Sequence, residues 1–116
     1  MEYMSPSFAE LLADLPAIDD LAGIELTAAD ASVELIENKP GSQGSLKVYR
    51  YLLNEFGDID INAANEGLRL YAEHTQDARL NPGKHLNIDR LLRIAAEGGK
   101  LSGRLLPVQS ASGSKL

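Results

Sequence analysis

Apolar residues alternate with polar ones in two short runs near the start of the chain. The runs lie on either side of a polar turn, and they predict a β-hairpin over residues 24–36. A third apolar run predicts a C-terminal strand within residues 101–108. A hairpin cannot bury its apolar face alone, so we expect the last strand to join it in a small sheet.

Elsewhere the apolar residues recur at the three- and four-residue spacing of amphipathic helices. A short N-terminal helix is predicted after Ser7, because Ser7 and Glu10 have the spacing of a capping box. Three main helices are predicted over residues 45–56, 63–80 and 88–97. The predicted fold class is therefore α+β, with the helices covering one face of the sheet.

Length and composition predict one domain without a membrane segment. We place this single domain at residues 1–108 and expect residues 109–116, which are small and polar, to be a disordered tail. The first residues contain no basic side chain and no long apolar run, so no secretory signal is expected. No stretch approaches the ~18 apolar residues of a membrane helix. Since the chain also lacks cysteine, a cytoplasmic location is favoured.

The net charge of −6 is distributed unevenly. Residues 1–46 hold nine acidic side chains and one basic one, Lys39, whereas residues 79–104 hold six basic and two acidic side chains. An acidic half repels a phosphate backbone, so nucleic-acid binding is not expected. Either the two halves complement each other inside the fold, or the basic segment contains an anion site.

Residues 73–92 concentrate titratable side chains around a predicted break between two helices. Both histidines of the chain, His74 and His85, lie there, with Asp77 and Asp89 close in sequence. The break itself is predicted by Asn81-Pro82-Gly83, which should form a tight elbow.

Three interpretations of this elbow are open. The histidines and aspartates can be hydrogen-bonded structural groups, His–Asp pairs for proton transfer, or ligands of a divalent metal. Their spacing matches no known ligand motif, so the structural interpretation is favoured and no metal or other cofactor is assigned. If the elbow is a site, the imidazoles should lie within about 8 Å of each other, with Asp77 and Asp89 as partners. If it is structural, the two rings should diverge, which is the expected outcome.

A glycine-rich loop between a predicted strand and a predicted helix is a second candidate site. Its candidate ligand-binding residues are Gly41, Ser42, Gly44 and Ser45, with Lys84 and Arg90 as cations for the same anion. Free amides at a helix N-terminus favour anions, and glycines let a phosphate approach the backbone. The loop is neither a Walker A motif nor a dinucleotide fingerprint. The alternative is a turn with Ser45 as the N-cap of the next helix.

Three blocks of sequence carry a resemblance to a known family. They are Lys39-Pro40-Gly41-Ser42 with Gly44-Ser45, Ala72-Glu73-His74-Thr75 with Asp77-Ala78, and Pro82-Gly83-Lys84-His85 with Asn87-Ile88-Asp89-Arg90-Leu91. Together they resemble a family of small bacterial proteins known as domain of unknown function 2322, over roughly Ser7 to Leu106. The resemblance implies a bacterial cytoplasmic protein and no mechanism.

The function favoured by the sequence is a non-enzymatic module that binds a protein partner or a small anionic ligand. The alternative is a small enzyme or metal-dependent protein that uses His74, Asp77, His85 and Asp89. No nucleic-acid or membrane partner is expected, and a homodimer is left open.

Overall fold

A computed structural model describes residues 6–108 and shows an α+β fold. The elements are, in order, α1 (Phe8–Ala13), β1 (Leu21–Thr27), β2 (Val33–Glu37), α2 (Gln43–Phe56), α3 (Ile61–Tyr71), α4 (Glu73–Leu80), α5 (Leu86–Glu97) and β3 (Ser102–Pro107). The fold class is therefore confirmed. The predicted tail at residues 109–116 lies outside the described residues.

The three strands form one antiparallel sheet in the order β2-β1-β3. The register places Ile24 of β1 between Ile36 of β2 and Leu105 of β3. Ile24 and Ile36 are buried under the helices, whereas Val33 and Leu35 on the other face are 55% and 52% exposed. The predicted hairpin and the joining of the last strand are both confirmed.

The core is formed by buried side chains of this sheet and of helices α2, α3 and α5, with α2 packed on the sheet and α3 packed on α2 and α5. Glycine inside a helix costs about 1 kcal/mol relative to alanine, so the sequence predicts that something packs closely at Gly67. In the structure, a Cβ at Gly67 would lie 2.6 Å from Leu91 Cδ1 and 2.9 Å from Leu52 Cδ1. The prediction is confirmed, because the missing side chain lets α3 approach α2 and α5.

The helix predicted over residues 63–80 is interrupted at Ala72, so that prediction is wrong in its continuity. Ala72 has φ 52° and ψ −119° and separates α3 from α4. The side chain of Thr75 donates a hydrogen bond of 2.6 Å to the carbonyl of Leu68, a group near the end of α3. The interruption changes the direction of the chain just before His74.

Helix α1 begins as predicted, whereas α2 and α5 begin at residues other than the predicted ones. Ser7 and Glu10 form the predicted capping box, and α3 is capped by Asp60, which accepts from Ala63 N at 2.9 Å. The predicted N-cap Ser45 is wrong, and Asn87, whose residue type also favours an N-cap, is not one, since α2 and α5 begin earlier, at Gln43 and Leu86. Neither of these two helices has a side-chain cap hydrogen bond.

Ion pairs join the acidic and basic parts of the chain. Arg90 of α5 pairs with Glu34 of β2, and Arg104 Nη2 of β3 lies 3.2 Å from Glu25 Oε1 of β1. Ion pairs inside the fold therefore account for part of the uneven charge distribution along the chain. Within residues 6–108, no helix has the length and apolar character needed to cross a bilayer.

Candidate functional site

The elbow between α4 and α5 folds back on itself. Gly83 has a φ of 92°, and its amide donates a hydrogen bond of 2.9 Å to Asp89 Oδ2 in the first turn of α5. This bond fixes the direction in which α5 leaves the loop. Asp89 thus serves the backbone and is not a partner of either histidine.

Asp77 and His85 form the central polar contact of the elbow. His85 Nε2 lies 2.6 Å from Asp77 Oδ2, and the same oxygen lies 3.0 Å from Lys84 Nζ. The hydrogen bond from His85, and next the one from Lys84, lower the pKa of Asp77 to about 2. Because an ionised carboxylate can only accept, the proton in this contact belongs to His85 Nε2, and Nδ1 is the other functional nitrogen of the ring.

The two imidazole rings lie close together and do not diverge as expected. The centroids of His74 and His85 are 5.9 Å apart, with 47° between the ring planes. The side chains are 43% and 25% exposed, so both are open to solvent. The structure therefore brings together His74, Asp77 and His85, but not Asp89.

His74 is held between aromatic neighbours from other elements. The ring of Phe8 in α1 meets it edge-on at 5.0 Å, and Phe8 also stacks on Tyr71 at 5.3 Å. Glu73, next to His74, accepts a hydrogen bond of 2.8 Å from the amide of Phe8. The start of α1 is thereby fixed against the start of α4.

The elbow and the glycine-rich loop line a single cleft of about 610 Å³. His74, Lys84 and His85 line it from the elbow, and Gly41, Gln43, Gly44 and Ser45 line it from the start of α2. The two candidate sites predicted separately from the sequence are therefore one surface. No aspartate or glutamate lines this cleft among the described residues, although the chain carries a net charge of −6.

The start of α2 offers hydrogen-bond donors to this cleft. With no side-chain cap, the amides of Gln43, Gly44 and Ser45 precede the first main-chain bond of the helix, Leu46 N to Ser42 O. Burial raises the pKa of Tyr71, so its hydroxyl stays protonated, and it donates to Ser45 Oγ at 2.7 Å. Since Ser45 Oγ accepts this bond, its own proton remains available for another acceptor.

Two predicted ligand-binding residues have other contacts. Ser42 Oγ donates a hydrogen bond of 2.6 Å to the carbonyl of Glu37, within the turn. Arg90 donates from Nε to Glu34 Oε1 at 3.0 Å and from Nη1 to Tyr49 Oη at 3.0 Å. Neither side chain lines the cleft, and the contacts of both are internal to the fold.

Phe8 and Tyr71 line the cleft but were not predicted as site residues. Their helical spacing is that of core residues, and it carries no sign of a cleft. The signal that could have found Phe8 is its position at the start of a predicted helix too short to bury an aromatic ring by itself. An aromatic side chain there has to find a partner on another element.

The arrangement provides proton-transfer groups and anion-binding groups more readily than a metal site. Within residues 6–108, no group of three or more histidine, aspartate or glutamate side chains could hold a metal ion. His85 and Asp77 have the geometry of a histidine oriented by a carboxylate. Lys84 and the free amides have the chemistry that stabilises a negative charge.

Comparison with known proteins places the chain in a family without identifying an activity. No curated protein and no solved structure matches it. A family model does match, over residues 8–105, and its description is "Uncharacterized protein conserved in bacteria". Because this match covers most of the 116 residues and confirms the resemblance, the chain belongs to the bacterial family DUF2322.

Proposed function

We propose that this protein is a non-enzymatic module that binds a small anionic ligand in the cleft between α1, the start of α2 and the elbow. The observation that carries the proposal is the composition of the cleft wall. Lys84, His74 and His85 converge there, and the carboxylates beside them, Asp77 and Glu73, are not among the residues that line the cleft. In a chain with a net charge of −6, such a surface is a local exception that favours an anion.

The strength of this site depends on salt. Lys84 shares its charge with Asp77, at 3.0 Å, so the lysine alone offers only part of a positive charge. The exposed groups are screened by salt, so we expect affinity to fall as ionic strength rises.

Calorimetric titration with sulfate at low salt tests the proposal, because sulfate keeps its charge near neutral pH. Wild-type protein should bind sulfate, and Lys84→Met should bind it at least about fivefold more weakly, the loss of roughly 1 kcal/mol from one charged contact. Lys100→Met is the matched control. Lys100 is 64% exposed and Lys84 59%, and the 12-residue helix α5, about 18 Å long, lies between them.

The proposal fails if wild-type protein shows no saturable binding of sulfate or phosphate at low salt. It fails equally if Lys84→Met and Lys100→Met weaken binding by the same amount. In that case the effect would come from the overall charge of the protein and not from the cleft.

Proton transfer by the His85–Asp77 pair is a second candidate function. The contact of 2.6 Å favours it, since a carboxylate that orients an imidazole is a recurrent feature of general bases. A thermal-shift screen of phosphorylated metabolites would provide compounds that bind, and NMR of each compound after incubation would show whether it changes. Conversion by wild-type protein that is lost in His85→Gln would establish an enzyme, whereas unchanged compounds would leave binding alone.

The proposed setting is the bacterial cytoplasm. The absence of cysteine supports it, because a reducing compartment gives no use for disulfides. Detection of the native protein in the cytosolic fraction of a bacterium that carries it would test the location.

A further inference from the structure

We infer that the ligand is a small phosphomonoester whose ester group is apolar and about the size of a ring. This inference rests on the proposed anion site and specifies its ligand. Two properties of the cleft carry it, namely the number of directions from which donors come and the apolar side chains beside them.

The donors approach the cleft from three parts of the fold. Gly44 and Ser45 belong to the start of α2, His74 to the first turn of α4, and Lys84 and His85 to the elbow. A phosphomonoester has three terminal oxygens arranged around phosphorus and can meet donors from all three. A carboxylate has its acceptor lone pairs in one plane, so it is less suited than a tetrahedral phosphate to donors that come from three elements.

Apolar side chains lie next to these donors. A Cβ at Gly44 would lie 3.2 Å from Phe8 Cζ and 3.4 Å from Leu12 Cδ1, so α1 packs directly on the first turn of α2. The absence of a side chain at Gly44 therefore places the apolar face of α1 beside the free amides. An anion at those amides would have its substituent against Phe8 and Leu12.

The cleft also has space and uncovered apolar surface for such a substituent. Its volume of about 610 Å³ exceeds what an inorganic phosphate needs and lies within the roughly 300–1,000 Å³ of sites for small organic ligands. Leu86, the first residue of α5, lines the cleft while being 70% exposed. A ring in the cleft would cover part of this leucine.

Calorimetry with three probes tests the inference. We expect phenyl phosphate to bind about tenfold more tightly than methyl phosphate, because the ring buries apolar area. Benzoate, with the ring but a planar anion, should bind more weakly than phenyl phosphate. Equal affinity for phenyl and methyl phosphate would overturn the inference and leave the anion site intact. A lack of binding by all three, and by sulfate, would overturn the proposed function itself.

A matched pair of variants locates the apolar contact. Leu86→Ala should reduce the ratio of phenyl to methyl phosphate affinity about threefold, and Leu80→Ala should leave it unchanged. Leu80 is 69% exposed and lies at the other side of the elbow, outside the cleft lining, so both substitutions are at exposed positions. An unchanged ratio in Leu86→Ala would contradict the placement of the ring.

A phosphotyrosyl side chain in a peptide carries the same chemical group, and a short phosphotyrosyl peptide distinguishes the two sources. If the ligand is a free small molecule, the peptide should bind more weakly than phenyl phosphate. The peptide chain on both sides of the phosphotyrosine would then have to fit at the cleft as well. Tighter binding of the peptide would replace the small molecule by a peptide and overturn this part of the inference.

Discussion

Asp77 determines which ring nitrogen of His85 is available to a ligand in the cleft. The carboxylate accepts from His85 Nε2, and its other oxygen accepts from Asn81 Nδ2 at 3.0 Å, which fixes its orientation. With Nε2 engaged, Nδ1 is the nitrogen left to meet a ligand. The same carboxylate also holds Lys84 near the imidazole. One residue therefore positions two of the basic side chains that line the cleft.

The acid stability of the protein should report this contact. Asp77 has a pKa of about 2 in the fold and 3.8 as its ordinary value, so its ionised form favours the folded state. That stabilisation is present above about pH 4 and is lost as the pH falls towards about 2. The free energy of unfolding should thus decline less steeply across this range in Asp77→Asn than in wild type, as measured by urea unfolding.

Asp19→Asn is the control for this experiment. Asp19 is exposed and takes part in none of the ion pairs of the described residues. Its acid profile should follow that of wild type. Parallel profiles for wild type and Asp77→Asn would contradict the contact between Asp77 and His85.

Ala72 holds a conformation that suits glycine. Its combination of φ 52° and ψ −119° is sparsely populated and costs an alanine roughly 1–3 kcal/mol, and glycine loses about 0.5–1 kcal/mol of chain entropy in exchange. We therefore expect Ala72→Gly to stabilise the protein by up to about 1 kcal/mol in urea unfolding. Ala96→Gly, at an exposed position in α5, should instead destabilise it by about 1 kcal/mol. Destabilisation by both substitutions to the same extent would mean that Ala72 is helical.

At the scale of elements, the cleft exists because helices approach one another closely. α3 reaches α5 and α2 at Gly67, and this packing places Tyr71 and His74 above the start of α2. The interruption at Ala72 then turns α4 so that its first turn meets α1. The elbow then brings Lys84 and His85 to the same cleft. Each step begins at a small residue or a break, and the hydrogen bonds of Glu73 and Asp89 to the backbone then fix the resulting arrangement.

Gly67→Ala should show the importance of this approach. The new Cβ would overlap Leu91 and Leu52 at a buried position, and such overpacking typically costs 1–3 kcal/mol. The gain in helix propensity, about 1 kcal/mol, offsets part of this, so we expect a net destabilisation of about 1 kcal/mol. Asn65→Ala on the exposed face of the same helix should be neutral or stabilising. A stabilised Gly67→Ala would show that α3 has room to move.

Sequence alone predicted the elements that have a sustained hydrophobic repeat and turn or capping residues at their ends. The hairpin, the helix α2 and the elbow at Pro82-Gly83 were found in this way. The break at Ala72 was missed because neither glycine nor proline marks it and the apolar stripe continues through it. The union of loop and elbow was missed for a different reason. The two segments are about 40 residues apart, and only the packing of α2 and α3 brings them together.

At the scale of the whole molecule, some basic side chains form ion pairs between elements of the fold, and others line the cleft. Arg90 and Arg104 are paired with carboxylates of the sheet, so they contribute to holding the two parts of the chain together. Lys84 and the two histidines also have carboxylate neighbours, Asp77 and Glu73, but they are the basic side chains that line the cleft. This division supports both interpretations of the charge asymmetry, with arginines used for the fold and the other basic groups for the proposed site.

The most direct test of the anion site is an NMR titration of the imidazoles. The chain contains two histidines, so its imidazole spectrum should show two sets of signals, which His74→Gln and His85→Gln assign. On titration with sulfate at constant pH and low salt, both sets should shift with one saturable binding curve, and Lys84→Met should move that curve to higher sulfate concentration. Imidazole signals that stay in place throughout the titration, in a protein that remains folded, would contradict the account.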